Sequence, residues 1–133
     1  MITRMLTAGL ALLALLGTGQ SLALSEEDLL RPEEAFRYEL RADADALLLD
    51  LDVAPGYYLY RKRFSFESQT EGLTLAAPAF PEGEIHADEF FGESVVFRER
   101  STIRIPFTRT AAAGDRAELQ FKLQGCADLG LCY

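Results

Sequence analysis

The strongest constraint on this chain is a period-two alternation of apolar and polar residues. Leu47, Leu49, Leu51 and Val53 alternate with Leu48, Asp50 and Asp52. Successive side chains of a β-strand point to opposite faces, so the pattern reads as a strand with one buried and one wetter face. Phe36, Tyr38 and Leu40 alternate with Arg37 and Glu39, and the same rhythm returns at Ile103, Ile105 and Phe107 and at Leu119, Phe121 and Leu123. Tyr57 to Tyr60 and Phe64 to Phe66 are further short β-type runs, split by the basic triplet Arg61-Lys62-Arg63. Pro55-Gly56 and Gly114-Asp115 supply turn signals between the runs. At least six short strands are expected, and no stretch after the leader keeps a helical apolar stripe for three turns.

Short strands with recurring turns predict an all-β fold, an immunoglobulin-like antiparallel β-sandwich. The antibody-type hallmark is missing: the chain has no Trp, and its two cysteines, Cys126 and Cys132, are too close in sequence to bridge two sheets. The segment Pro78 to Ser94 has few β-branched residues and contains Pro78, Pro81, Gly83 and Gly92, so it reads as a long loop. Within it, Phe90 and Phe91 are adjacent aromatics that need something to cover. After Arg4, Met5 to Leu16 form a mostly apolar stretch too short for a transmembrane helix, which needs roughly 20 such residues. Ser21-Leu22-Ala23 follows with small residues at −3 and −1. Residues 1–23 are therefore expected to be a cleavable signal peptide, with residues 24–133 as one exported β-sandwich domain. No Cys follows the apolar stretch, which removes lipid attachment at a new N-terminal Cys.

Charge narrows the function classes. Arg4 is the one charged residue before position 24, which leaves 12 of the 13 Lys and Arg against all 21 Asp and Glu. An acidic single domain without a Lys/Arg block is a poor match for nucleic acid, whose phosphates demand clustered positive charge. His86 is the only His, and two Cys with one His do not make a four-ligand zinc site, so no metal is expected.

Five residues separate Cys126 from Cys132, and Asp128 and Gly130 between them favour a reversal that brings the sulfurs face to face. In an exported protein an intramolecular disulfide is the expected resting state. As a structural staple it would stabilise the fold by about 2.4 kcal/mol in the chain-entropy model. As a redox pair it would exchange with partner thiols. The spacing is not the CxxC of thioredoxin-like proteins and does not decide between the two.

Three motifs occur together: Pro55-Gly56-Tyr57-Tyr58-Leu59-Tyr60-Arg61-Lys62, then His86-Ala87-Asp88-Glu89-Phe90-Phe91-Gly92, then Gly125-Cys126-Ala127-Asp128-Leu129-Gly130-Leu131-Cys132-Tyr133. In this order they resemble the N-terminal periplasmic domain of the DsbD-type transmembrane thiol:disulfide interchange proteins. The resemblance runs from about Pro32 to Tyr133. It implies a periplasmic protein-disulfide reductase module with no cofactor beyond its cysteines. Such a module takes electrons from a thioredoxin-like donor domain and passes them to periplasmic disulfide isomerases and to thioredoxin-like proteins of cytochrome c maturation. The resemblance makes Cys126 and Cys132 the redox pair, with Cys132 forming mixed disulfides, Phe90 the tip of a cap loop over the pair, and Tyr58 and Tyr60 the lining.

Asp88, Glu89 and Asp128 would be acidic neighbours that disfavour the thiolate. In the family the domain continues with another strand and then with a membrane domain and a thioredoxin-like domain, so the chain reads as a fragment or a truncated relative, linked to the membrane only through those downstream parts. The competing reading is a non-catalytic exported β-sandwich, a binding or chaperone-like domain with an inert disulfide.

Overall fold

The computed structural model of the protein describes residues 25–133, apart from the side chain of Glu26; the expected signal peptide lies outside the described residues. A short helix, α1 (Pro32–Ala35), leads into eleven strands. These are β1 (Phe36–Ala42), β2 (Ala46–Val53), β3 (Tyr57–Tyr60), β4 (Ser65–Ser68), β5 (Leu73–Leu75), β6 (Glu84–Asp88), β7 (Gly92–Phe97), β8 (Arg100–Arg109), β9 (Leu119–Lys122), β10 (Gly125–Ala127) and β11 (Leu131–Cys132). They form a four-stranded sheet in the order β1-β2-β8-β5, a five-stranded sheet in the order β11-β10-β3-β7-β6, and the small pair β4-β9. Pairing within these sheets is antiparallel. The all-β sandwich expected from the alternation is the fold.

The alternation of β2 and β8 produces the main core. Leu47, Leu49, Leu51 and Val53 from β2, with Ile103 and Ile105 from β8, pack against Tyr57, Leu59, Phe97 and Ala127 of the other sheet. Each such aliphatic side chain contributes about 1.5–3 kcal/mol by leaving water. The intervening residues face outward and pair across strands, as in Arg37 with Asp52 at 2.9 Å, Arg104 with Asp45 at 2.7 Å, and Arg41 with Asp50. Exposed pairs of this kind are worth at most about 1 kcal/mol each, so apolar burial rather than the charge ladder holds the sheet.

Two expectations need correction. In β1 only Phe36 is buried, and Tyr38 is 57% exposed. This strand lies at the sheet's edge, where Phe121 meets Tyr38 edge-to-face at 4.9 Å and little else covers the strand's inner face. The segment Pro78 to Ser94 is not one long loop. Its second half is a hairpin, with β6 and β7 paired from Glu84 opposite Val96 to Asp88 opposite Gly92. Its sequence conceals a strand because β6 is a terminal strand of its sheet and has no fully buried residue to impose an apolar rhythm. Phe90 and Phe91 sit at the hairpin's tip. The basic triplet Arg61–Arg63 forms a single 3-10 turn between β3 and β4.

Candidate functional site

All four residues of β3 are buried, which a strand covered on one side cannot achieve. Tyr57 and Leu59 enter the main core, whereas Tyr58 and Tyr60 point to the opposite face of the five-stranded sheet. There they form a second apolar cluster with Val96 and Cys126, against which Phe91 and Cys132 pack. The sheet order explains the convergence. Cys126 of β10 lies beside Tyr58 on one side of β3, and Val96 of β7 lies beside Tyr60 on the other. Beyond β7, β6 brings His86 to within 4.5 Å of the Tyr58 ring, centroid to centroid, and ends at Asp88.

The two cysteines are directly opposed in the β10–β11 register and joined by a disulfide within one sheet. The reversal between them is closed by the Gly130 N–H donating to the Ala127 carbonyl at 2.9 Å, with Gly130 at a φ of +100° that suits glycine. Cys126 is fully buried, and Cys132 is half-buried at the sheet's end. Gly125 is required by space: a Cβ there would stand 2.4 Å from the Tyr58 carbonyl oxygen and 2.7 Å from the Phe36 ring. This close approach is what lets β10 lie against β3.

Asp88 organises the remainder. One carboxylate oxygen accepts hydrogen bonds from both tyrosine hydroxyls, Tyr58 at 2.7 Å and Tyr60. The other accepts the backbone N–H groups of Phe90 at 2.9 Å and Phe91 at 2.8 Å, which fixes the hairpin tip. Burial pushes the Asp88 carboxyl upward. The hydrogen bonds from Tyr60, the Phe91 amide, Tyr58 and the Phe90 amide outweigh that and hold it at about 2. Burial, reinforced by the carboxylate, raises Tyr60 above the ordinary phenol range, and burial raises Tyr58 in the same direction. The Tyr60 hydroxyl also lies 3.2 Å from Cys126 Sγ.

The two phenylalanines of the tip divide. Phe91 packs edge-to-face on Tyr60 at 4.7 Å. Phe90 is 43% exposed and lines a cleft of about 270 Å³ with Tyr58, Asp88, Glu89, Asp128 and Gly130. Glu89 is exposed at the same place. Asp128 does not act as a free acid beside the sulfurs, because Arg98 grips both its oxygens at 3.1 and 2.9 Å. Arg98 also binds Glu84 at 2.7 Å and the Tyr57 carbonyl at 3.2 Å, and its guanidinium lies 4.8 Å from the centroid of the Tyr58 ring. It thereby ties the cysteine reversal to the base of the hairpin. Sequence reasoning missed Arg98, which has no motif signal to separate it from the surface cations. Among the described residues no group of three or more His, Cys, Asp or Glu is placed to hold a metal ion.

Comparisons with known proteins bear on the family and the fold. The family described as "Thiol:disulfide interchange protein DsbD, N-terminal" matches residues 26–133. The thiol:disulfide interchange protein DsbD 2 of Pseudomonas aeruginosa is 44% identical over 110 residues, covering 82% of this chain and 17% of that protein. DsbD of Yersinia enterocolitica is 39% identical over 101 residues, 76% of this chain and 17% of that protein. The chain thus spans less than a fifth of the length of these relatives. The crystal structure of the Neisseria meningitidis DsbD N-terminal domain in the reduced form superposes with a TM-score of 0.74 at 34% identity, covering 83% of this chain and 86% of that one. A structure of the complex between the DsbD N-terminal and PilB N-terminal domains of the same organism gives 0.63 at 34% identity, with 80% of each chain covered.

The Asp88 geometry makes a pH prediction. A carboxyl whose folded pKa is depressed from 3.8 to about 2 contributes stability that is full above about pH 4 and is lost as the pH falls towards 2. The amide signals of Phe90 and Phe91 should therefore titrate with a midpoint near 2. In Asp88→Asn this inflection should vanish, and the loss of stability between pH 5 and pH 2.5 in urea unfolding should shrink. A midpoint at the ordinary carboxylate value would contradict the four-bond arrangement.

Proposed function

Because the chain belongs to the DsbD N-terminal domain family, we propose that it is a thiol:disulfide exchange module, a periplasmic protein-disulfide reductase unit in which the Cys126–Cys132 pair relays electrons between thioredoxin-like proteins. The observation that carries this reading is the asymmetry of the disulfide: Cys126 is sealed in the tyrosine cluster, and Cys132 is only partly buried. A staple needs neither this difference nor an organised carboxylate beside it. Leu129 and Leu131 lie in the reversal between the cysteines and Phe90 lines the cleft beside it; all three are substantially exposed and offer an apolar docking rim.

Exchange then proceeds in two balanced steps. A donor thiolate attacks Cys132 Sγ, the Cys126–Cys132 bond breaks, and the Cys126 sulfur takes up a proton. A second donor thiolate attacks the resulting mixed disulfide and releases Cys132. Two electrons and two protons have passed from the donor dithiol to the domain, and the donor leaves as a disulfide. Delivery to an oxidised client is the reverse sequence, opened by the Cys132 thiolate. The solved complex of a DsbD N-terminal domain with a PilB N-terminal domain supports a protein partner for this exchange; the motif resemblance suggests disulfide isomerases and cytochrome c maturation proteins as clients and a membrane-linked thioredoxin-like domain as donor.

The tyrosine cluster sets which sulfur does this. Tyr60 has one hydroxyl proton and gives it to Asp88, so its oxygen presents a lone pair to Cys126 Sγ. In the reduced pair the Cys126 S–H becomes the donor. Burial and this polarity both favour the thiol at Cys126, leaving Cys132 as the nucleophile and Cys126 as the resolving sulfur. Phe90 and Glu89 at the hairpin tip act as the cap, turning aside small oxidants until a partner displaces them.

Two measurements test this. Equilibrated with glutathione buffers, the pair should show a reduction potential near about −230 mV, whereas a value below about −300 mV would mark a structural clip and favour an exported binding domain instead. In Asp88→Asn the amide Oδ1 can keep the backbone bonds while Nδ2 donates to the phenols, which turns the Tyr60 proton towards the sulfur. The Cys126 thiol, read alone in a Cys132→Ser background by its ultraviolet thiolate absorbance, should then titrate about one unit lower than with Asp88 in place. An unchanged midpoint would contradict the assigned polarity.

A further inference from the structure

The turn Arg61–Arg63 is linked to the disulfide through two aromatic rings. Cys126 touches the Tyr60 hydroxyl, Tyr60 packs on Phe91, and Phe91 in turn carries Lys62 Nζ at 4.9 Å and the Arg63 guanidinium at 5.4 Å from its centroid. All three basic residues are exposed. Six other arginines of the chain, at positions 31, 37, 41, 98, 100 and 104, are in ion pairs, but among the described residues no carboxylate pairs with Arg61, Lys62 or Arg63. Arg63 instead donates to the Gln124 side-chain oxygen at 2.7 Å, which pins the turn to the residue before the Gly125-Cys126 strand. An acidic protein thus keeps three adjacent cations free of acids at the rim of its reactive disulfide.

We propose that the Arg61–Arg63 turn is an electrostatic docking patch that receives an acidic flank beside the partner's reactive cysteine. The inference rests on the exchange reading and adds to it a partner chemistry: an acidic surface beside the partner's disulfide or dithiol. Clustered charge at a rim acts on encounter rate and orientation more than on final affinity. The aromatic ring beneath the patch couples the two events. A carboxylate that draws Lys62 and Arg63 outward withdraws them from Phe91, the ring that seals Tyr60 and Cys126.

The test opposes this local charge to the global one. With 21 acidic against 13 basic residues, the chain's net charge of −8 by itself slows an acidic substrate. Two peptide disulfides are compared that differ only in flanking the cystine with Glu or with Gln. The reduced domain transfers two electrons and two protons to each, giving two peptide thiols and the domain disulfide. The Glu peptide should react faster, by about tenfold at low ionic strength, with most of the advantage gone near 0.15 M salt. In the Arg61→Gln/Lys62→Gln double variant, which keeps Arg63 and its bond to Gln124, the ratio of the two rates should fall to one or below. A wild-type ratio at or below one, or a ratio that the double variant leaves unaltered, would overturn the patch while leaving the exchange reading intact. Exchange with neither peptide would overturn both.

Discussion

The outer face of β3 carries two tyrosines that the main core does not need, and burying them there creates a problem that Asp88 solves. Phenol hydroxyls removed from water need acceptors, and a carboxylate drawn into an aromatic cluster needs donors. Here each satisfies the other: Tyr58 and Tyr60 both donate to one oxygen of Asp88, and two backbone amides of the hairpin tip donate to the second. The same four bonds therefore fix the tyrosines, the depressed carboxyl pKa and the position of Phe90 and Phe91. Removing the side chain, as in Asp88→Ala, would release all of them together.

The difference between the two sulfurs follows from this cluster. Cys126 lies in register with Tyr58 and within reach of Tyr60, so it inherits the burial of β3. Cys132 belongs to the two-residue strand at the sheet's end, has one neighbouring strand, and stays half-open to solvent. Gly125 makes the arrangement possible by admitting β10 against Tyr58, and Arg98 anchors the reversal through Asp128. A single bond thus joins one sulfur with a fixed environment to one with an accessible environment. Exchange chemistry needs that division, since one sulfur must meet partners and the other must wait to resolve them.

Much of this was legible in the sequence, for a physical reason in each case. β2 and β8 face a core on one side and water on the other, so their alternation is strict and readable. Tyr58 and Tyr60 at i and i+2 announce a shared face, and the motif resemblance attached a redox role to Cys126 and Cys132. The β6–β7 hairpin was hidden because β6 is half-buried at most, so nothing forces an apolar rhythm on Glu84–Asp88. Tyr38 was expected to be buried because alternation cannot reveal that an edge strand's inner face is left mostly uncovered. Arg98 was invisible because its importance lies in four partners distant in sequence, Glu84, Asp128, Tyr57 and Tyr58. The sequence pattern also suggested three acids crowding the thiols, whereas Asp128 is neutralised by Arg98 and Asp88 is occupied by its four donors.

The central claim is that the cluster around β3 makes Cys132 the exchanging sulfur and holds Cys126 in reserve. It is tested most directly by mixing each single-cysteine variant, Cys126→Ser and Cys132→Ser, with oxidised glutathione and following the mixed disulfide by mass spectrometry. The account predicts adduct formation at Cys132 in the first variant, slowed by the cap but well ahead of Cys126 in the second, where little or none should form. Equal adduct formation at both positions, or a preference for Cys126, would contradict it.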